Sequence, residues 1–340
     1  MKVIVTGASG FVGGHVARYL NEKGHHITGL SRRGIPDIGI SHIKTDLSKT
    51  VTKKLPFKNF DVIVHSAALT EFNANYDHAY AVNVFGTKHP YILAQKHKVK
   101  KFIHISSYSV YKEFTDRKRV NETFAKATAK TSTYSRTKLL AEEYLKKQKS
   151  MATICLRPHV VYGPGDMTVL SQFLEKIKFN KIVLPLDISK EFSITYVKNL
   201  VEGVDFFLSK KMDKGFHAFN ISDKDVLDSV TLIQHFLDFS SPSARIYQVP
   251  KEIGYVVALV ATLIARMQRK SPELTVDLIN QLNNNSSLSL NKISKLGFES
   301  KYSFDEGLKE TKAWFERFDG MRQFFESSED VWPKIIVSGK

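Results

Sequence analysis

An apolar run, KVIVT, leads straight into TGASGFVGG at residues 6–14, with glycines at Gly7, Gly10 and Gly13. Glycine inside or beside regular structure costs about 0.5–1 kcal/mol relative to alanine, so three in one turn call for a compensating contact. A strand, a glycine turn and a helix in that order supply one. Gly7 lets the chain leave the strand sharply, Gly10 lets backbone approach a pyrophosphate, and Gly13 lets the helix pack closely. The phosphate then meets the free N–H groups and dipole of a helix N-terminus. The flanking strand and helix separate this motif from an ordinary glycine turn.

The first 160 residues repeat that rhythm. Short apolar runs at 3–6, 27–30, 43–45, 62–65, 102–106 and 153–157 read as strands buried on both faces. Helical patterns at 11–23, 76–97 and 134–149 fill the gaps. The expected fold class is therefore α/β: a Rossmann-type, doubly wound parallel sheet. After Pro158 the texture changes to longer loops, fewer strands and helices dominating 226–282, which predicts a smaller, mostly helical C-terminal part. The expected division is a cofactor-binding domain over 1–160, a substrate-binding domain over 161–320 and a tail over 321–340, with segments around 192–220 returning to the first domain. Residues 303–318, SFDEGLKETKAWFERF, carry one more amphipathic helix.

The second strand bears on the cofactor. NAD-binding chains carry Asp or Glu near its end, about 20 residues after the glycines, to bond the ribose hydroxyls. Here Ser31 stands there, followed by Arg32 and Arg33. A carboxylate would repel a 2′-phosphate, whereas a serine can bond it and guanidinium groups can clamp it. NADP is expected rather than NAD.

The net charge of +16 raises nucleic acid and anionic surfaces as partners. Yet the basic residues lie in short scattered clusters, such as KHKVKK at 96–101, without a nucleic-acid-binding motif. They read as a solvated surface, and no nucleic-acid partner is expected. The single cysteine, Cys155, excludes an internal disulfide framework, and no secretory pattern opens the sequence, which predicts a cytoplasmic setting. The longest apolar run, 253–265, is shorter than the roughly 20 residues that span a bilayer. It either packs in the core, lines a pocket or touches a membrane surface. No metal-ligand spacing stands out.

In YSRTK, Tyr134 and Lys138 stand four apart at the start of a helix, hence on one face. A phenol near pKa 10 is a poor base at neutral pH. A neighbouring ammonium would lower that value and make Tyr134 a usable general acid/base. FIHISSYSVY ends the fifth strand with Ser106 and Ser107, at the strand edge where open parallel sheets bind ligands.

Together with TDL (45–47), HSAA (65–68), NVFGT (83–87) and LRPHVVYGPGD (156–166), these motifs make nearly the whole chain resemble the extended short-chain dehydrogenase/reductase superfamily, of the NAD-dependent epimerase/dehydratase type. The resemblance implies a catalytic Ser107, Tyr134 and Lys138, Ser107 matching better than Ser106 because it stands four residues before Tyr111. It places Ser9, Phe11 and Val12 with the three glycines in the cofactor turn, and Asp46 and Leu47 beside the adenine. Ala67 and Ala68 come under the phosphates and ribose, and Pro158 near the carboxamide. Asn83 is implied to brace the active-site strand and helix, and Lys138 to bond the nicotinamide ribose. A homodimer through helices of this half is common in the superfamily.

Two branches compete for the substrate. Nucleotide-sugar enzymes grip a pyrophosphate with an arginine that aligns with Phe192 here. The later segments and the apolar 253–265 are more similar to the 3β-hydroxysteroid dehydrogenase-like group. The expectation is an oxidoreductase interconverting a carbonyl and a secondary alcohol on a lipophilic small molecule, with a nucleotide-sugar epimerase and a cofactor-sensing binding protein as alternatives. The residues after Ser107 carry no acidic pair, which argues against dehydration. His159 either donates to a substrate oxygen or packs in its loop, and packing is favoured.

Overall fold

The computed structural model describes residues 1–35, 39–49, 57–71, 74–113, 115–124, 126–128, 131–166, 181–185, 190–240, 243–267, 276, 279–280 and 283–317. Seven strands form one sheet: β1 (Lys2–Thr6), β2 (His26–Ser31), β3 (Ser41–Lys44), β4 (Val62–His65), β5 (Lys101–Ile105), β7 (Ala152–Pro158) and β11 (Gly215–Ile221). Their order is β11-β7-β5-β4-β1-β2-β3, and every pairing is parallel. The chain builds outward from β1 to β3, then returns to the other side of β1 with β4. The crevice beyond the ends of β1 and β4 is thus the switch point where such sheets bind ligands.

Alternate residues of each strand feed two cores. Val3, Val5, Val62, Val64, Ile103, Ile154 and Leu156 face one side, with α1 (Phe11–Glu22) and α5 (Val197–Ser209) over them. Ile4, Ile63, Phe102 and Cys155 face the other, against Tyr91 and Ala94 of α3 (Gly86–Lys96) and Leu145 of α4 (Thr133–Lys146). Burial on both faces is why these strands read as continuous apolar runs. The helix expected over 76–97 is broken into α2 (Tyr76–Tyr80), a π-helical turn over Ala81–Phe85, and α3.

The second half holds more strand than its sequence texture predicts. β10 (Glu191–Tyr196) pairs with β12 (Val226–Asp228), β8 (Val160–Tyr162) and β14 (Ser286–Leu288), and β14 pairs with β6 (Arg117–Val120). β13 (Arg245–Val249) pairs with β9 (Lys181–Pro185). Most of these strands are three to five residues long, too short to show a period. β6 comes from within the first 160 residues, whereas β11 returns to the first sheet from beyond them. The remaining helices are α6 (Ser229–Ser240), α7 (Lys251–Met267), α8 (Asn291–Ser294) and α9 (Phe304–Arg317). α9 buries Phe304, Thr311, Trp314 and Phe315, the face that its amphipathic pattern marks.

Two readings of single segments are corrected. Core packing, one of the three readings open for 253–265, does not hold for most of its described side chains: Ile253, Val256, Val257, Leu259 and Val260 are exposed, Gly254 and Ala258 are buried, and Tyr255 is half-buried with its hydroxyl donating to Asn280 Oδ1 at 2.8 Å. Lys101, at the end of the basic cluster, is not a solvated charge. Its ammonium is buried and donates to the carbonyls of Phe207, Leu208 and Lys210 at 2.5–2.9 Å, closing the C-terminus of α5. No helix among the described residues is long and apolar enough to cross a membrane. The tail 321–340 and SPELT at 271–275, part of the similarity to the 3β-hydroxysteroid dehydrogenase-like group, lie outside the described residues.

Candidate active site

The glycine turn is tight. Gly7 has φ +71°, donates its N–H to Leu30 O at 2.8 Å, and leaves 2.8 Å between an imagined Cβ and the Ala67 amide nitrogen. At Gly13 a Cβ would lie 2.2 Å from Gly7 O, so the helix packs against the turn itself rather than against the sheet. Gly10 caps α1 without a side chain, and the first helical turn, which starts with Phe11 and Val12, contains no acid. The N–H groups of that turn carry no side-chain cap and lie beside Ser9 at the switch point, a cradle that fits a pyrophosphate.

Ser31 is corrected. Its hydroxyl is buried, donates to Arg33 O at 2.8 Å and lies 2.7 Å from His42 Nε2. That leaves it no proton for a phosphate, and its work is to shape the turn that exposes Arg32 and Arg33. Asp46 accepts from the Ser48 amide and hydroxyl at 3.0 and 2.6 Å. Burial pushes its carboxyl up, but those bonds and the Arg32 charge outweigh it and hold the group below its ordinary value. Leu47 is buried in the core, and its carbonyl lies 3.1 Å from His89 Nδ1. Ala67 and Ala68 follow β4, half-buried at the crevice.

A row of polar side chains crosses the sheet in register beneath the site: Thr6, His65, His104 and Cys155. Thr87 spends its proton on Asn83 O at 2.7 Å, so it accepts from His65 Nε2 at 3.0 Å. His65 Nδ1 must then accept from Thr6 at 2.8 Å, while Thr6 accepts the Ala67 N–H at 3.2 Å. The ring is neutral, since burial, aided by the Lys138 charge, holds it down to about 3. This chain ties the glycine-turn strand to the loop after β4 and to the π-helical turn. Asn83 sits in that turn, its carboxamide bonded to Leu69 N and O and to Thr137 of α4 at 2.7–3.0 Å. π turns of this kind gather at functional sites.

Ser107 follows β5, and α4 brings Tyr134 to it: the two hydroxyls share a hydrogen bond. Ser107 Oγ also accepts from Ser109 N at 3.1 Å. Burial pushes the Tyr134 phenol up to about 12, with Ser107 pulling the other way. Lys138 does not supply the lowering expected from YSRTK. Its ammonium donates to Ile105 O at 2.6 Å and lies 3.4 Å from His104 Nε2, on the strand side. Burial lowers Lys138 itself to about 8. Glu113 fixes the start of α4, accepting from the Ser132 amide and hydroxyl at 3.0 and 2.9 Å, where a negative charge suits the helix dipole.

Ser106 takes a structural part. It donates to Glu142 at 2.5 Å, Glu142 pairs with Arg157 at 2.5 and 2.9 Å, and Arg157 reaches Tyr111, which donates to Asn220 at 2.5 Å. Pro158 ends β7, buried, and His159 packs as favoured: its ring lies 3.7 Å from the Tyr108 ring and 4.6 Å from that of Phe192, with Nε2 2.9 Å from Ser286 Oγ. No sequence feature marked a role for His65, His104, Glu113 or Glu142, and Arg117 stood out only as one of the basic residues of KEFTDRKR (112–119) that could reach a pyrophosphate. The signal for the two histidines was their equal place, two residues ahead of Ala67 and Ser106.

A sequence model described as the NAD dependent epimerase/dehydratase family matches residues 3–222. The 2-alkyl-3-oxoalkanoate reductase of Stenotrophomonas maltophilia (strain K279a) is 26% identical, over 92% of this chain and 99% of the relative. The sterol-4-alpha-carboxylate 3-dehydrogenase, decarboxylating, of Bos taurus is 27% identical, over 73% of this chain and 72% of the relative. The solved UDP-glucuronic acid 4-epimerase from Bacillus cereus in complex with NAD superimposes with a TM-score of 0.70 at 23% identity, over 94% of this chain and 99% of that one.

Proposed function

The chain belongs to the NAD dependent epimerase/dehydratase family of enzymes, which act on CH–OH groups, and from that premise we propose that it is an NADP-dependent oxidoreductase interconverting a ketone and a secondary alcohol on a lipophilic substrate. The observation that carries the reading is the hydrogen bond between Ser107 and Tyr134, with the Lys138 ammonium held one helical turn on, against the end of β5.

The residues fit the cofactor. The uncapped N-terminus of α1 receives the pyrophosphate, and Ser9, Phe11, Val12, Ala67 and Ala68 line its path. Exposed Arg32 and Arg33 favour NADP by meeting a 2′-phosphate. When bound, the nicotinamide supplies the hydride donor or acceptor. Ser107 holds the substrate oxygen, and Tyr134 gives it a proton on reduction or takes one on oxidation. Lys138 bonds the ribose beside Tyr134, and Asn83 keeps α4 at the depth that brings the phenol to Ser107.

The lipophilic reading draws support from the reductase and the sterol dehydrogenase, whose names specify an alkyl-substituted oxo acid and a sterol. Phe192, where a nucleotide-sugar enzyme has its arginine, presents an aromatic ring beside His159. A homodimer through α3 and the π-helical turn before it goes with the same reading, since Ile92 and Phe85 stand exposed there. The test is Tyr134→Phe, which keeps the ring and removes the proton. Turnover is expected to fall about 10²–10⁴-fold with cofactor binding unchanged. Near-normal turnover would give the proton to another group.

A further inference from the structure

One buried cation takes no part in the proton chemistry. Arg117 opens β6 and is 5% exposed, yet its Nε and Nη1 have no hydrogen-bond partner among the described residues. The neighbouring acid is taken, because Glu191 pairs with Lys118 at 2.9 Å and with Arg119 at 3.7 Å. Arg157, the other buried arginine among the described residues, is neutralised by Glu142. The Arg117 guanidinium rests 5.1 Å from the centre of the Tyr108 ring, and Tyr108 directly follows Ser107. The same ring carries His159, whose Nδ1 is also buried without a partner.

An unpaired buried guanidinium is strongly unfavourable in a folded chain. Groups that break such a rule gather at functional sites. We infer that Arg117 binds a carboxylate on the substrate, which makes the substrate a lipophilic acid whose reacting oxygen stands a few bonds from its carboxylate, as in a 3-oxo or 3-hydroxy acid. The inference rests on the oxidoreductase reading above. Its geometry follows from the chain: Ser107 directly precedes the residue whose ring carries the Arg117 guanidinium, so a group held at Ser107 and a group held at Arg117 are neighbours. The charge count favours a monoanion, because one uncompensated cation matches one carboxylate, and the guanidinium fork takes its two oxygens. A diphosphate would bring a second charge, and among the described residues no second guanidinium lies buried and unpaired beside Arg117 to meet it. Phe192, edge-on to His159, adds an apolar surface beside the same cluster.

The experiment compares 3-hydroxydodecanoate with its methyl ester as substrates for oxidation by NADP⁺, in the unmodified protein, Arg117→Met and Arg117→Lys. The acid is expected to exceed the ester in kcat/KM by about 30-fold or more, the scale of a desolvated charge pair. Arg117→Met is expected to erase that preference by raising KM for the acid alone, and Arg117→Lys to keep part of it. Because an unpaired charge is removed, ligand-free Arg117→Met is expected to melt no lower than the unmodified protein, an outcome that a structural arginine would not give. Equal use of acid and ester, an equal loss on both in Arg117→Met, or a sharply lower melting temperature of that variant overturns the inference. Calorimetry of dodecanoate with NADP⁺ present separates it from the oxidoreductase reading: Arg117-dependent binding without turnover keeps the carboxylate site and removes the oxidoreductase. Arg117-dependent binding of UDP without binding of dodecanoate overturns the carboxylate assignment.

Discussion

Replacing Glu142 by glutamine tests the network that holds Ser106, and through it the placement of Ser107. Both members of the Glu142–Arg157 pair are nearly fully buried, at 4% and 3% exposure. Glutamine keeps the shape but turns one acceptor into a donor, so Arg157, which donates to both oxygens, faces an N–H in either orientation, Ser106 faces it in one, and the Arg157 charge loses its counterion. Removing one partner of a buried pair costs about 3–5 kcal/mol. Unfolding entropy of about 2.1 cal/mol/K per residue gives about 0.7 kcal/mol/K for a chain of 340 residues. The expected fall in Tm is therefore about 4–7 °C, read by calorimetry and checked by urea titration. Changing both residues to methionine is expected to recover most of the loss, because the cost lies in the unpaired charge rather than in the missing bond. A loss below about 1 kcal/mol in the single variant, or a double variant worse than the single one, would refute this account of Ser106.

Arg32→Ala is expected to weaken NADP binding about 10–100-fold, the worth of a charge-assisted hydrogen bond, and to leave NAD binding unchanged; titration of both cofactors checks it, and equal affinity of the unmodified protein for the two would contradict the NADP assignment. Asp223, which accepts from Tyr196 N and Asn199 at 2.8 and 2.7 Å, is pushed up by burial to about 6. A raised carboxyl favours the folded state fully below its unfolded value near 3.8 and loses that contribution as pH rises through about 6. Asp223→Asn is thus expected to gain on the unmodified protein by about 2 kcal/mol between pH 4 and pH 7, measured by denaturation at both pH values, and a pH-independent difference would count against it.

The residues that were legible in the sequence share a physical cause. Strands covered on both faces must be apolar at every position, so all six strands expected in the first 160 residues are found within a residue or two of their expected ends. Gly7 and Gly13 could be read because no other residue tolerates those contacts. The second sheet was hidden because its strands are short and partly exposed, and β6 sits in the charged run DRKRV. Within that run Lys118 and Arg119 are solvated while Arg117 is buried, a difference set only by where β14 lies. Ser31 misled for a related reason: its residue type suits a phosphate, but His42, eleven residues on, takes the hydroxyl once β3 pairs with β2. Lys138 likewise matched its spacing, yet the carbonyl that holds its ammonium comes from β5, which no helical spacing reveals.

The most direct test of the central claim follows the hydride. The protein is incubated with NADPH deuterated at both C4 positions and a lipophilic 3-oxo acid, and the product is analysed by mass spectrometry. The account predicts an alcohol carrying one deuterium on the carbinol carbon, formed at least about 100-fold more slowly by Tyr134→Phe. Absence of deuterium from every keto-lipid offered, with interconversion of a UDP-sugar by the same preparation, would contradict it.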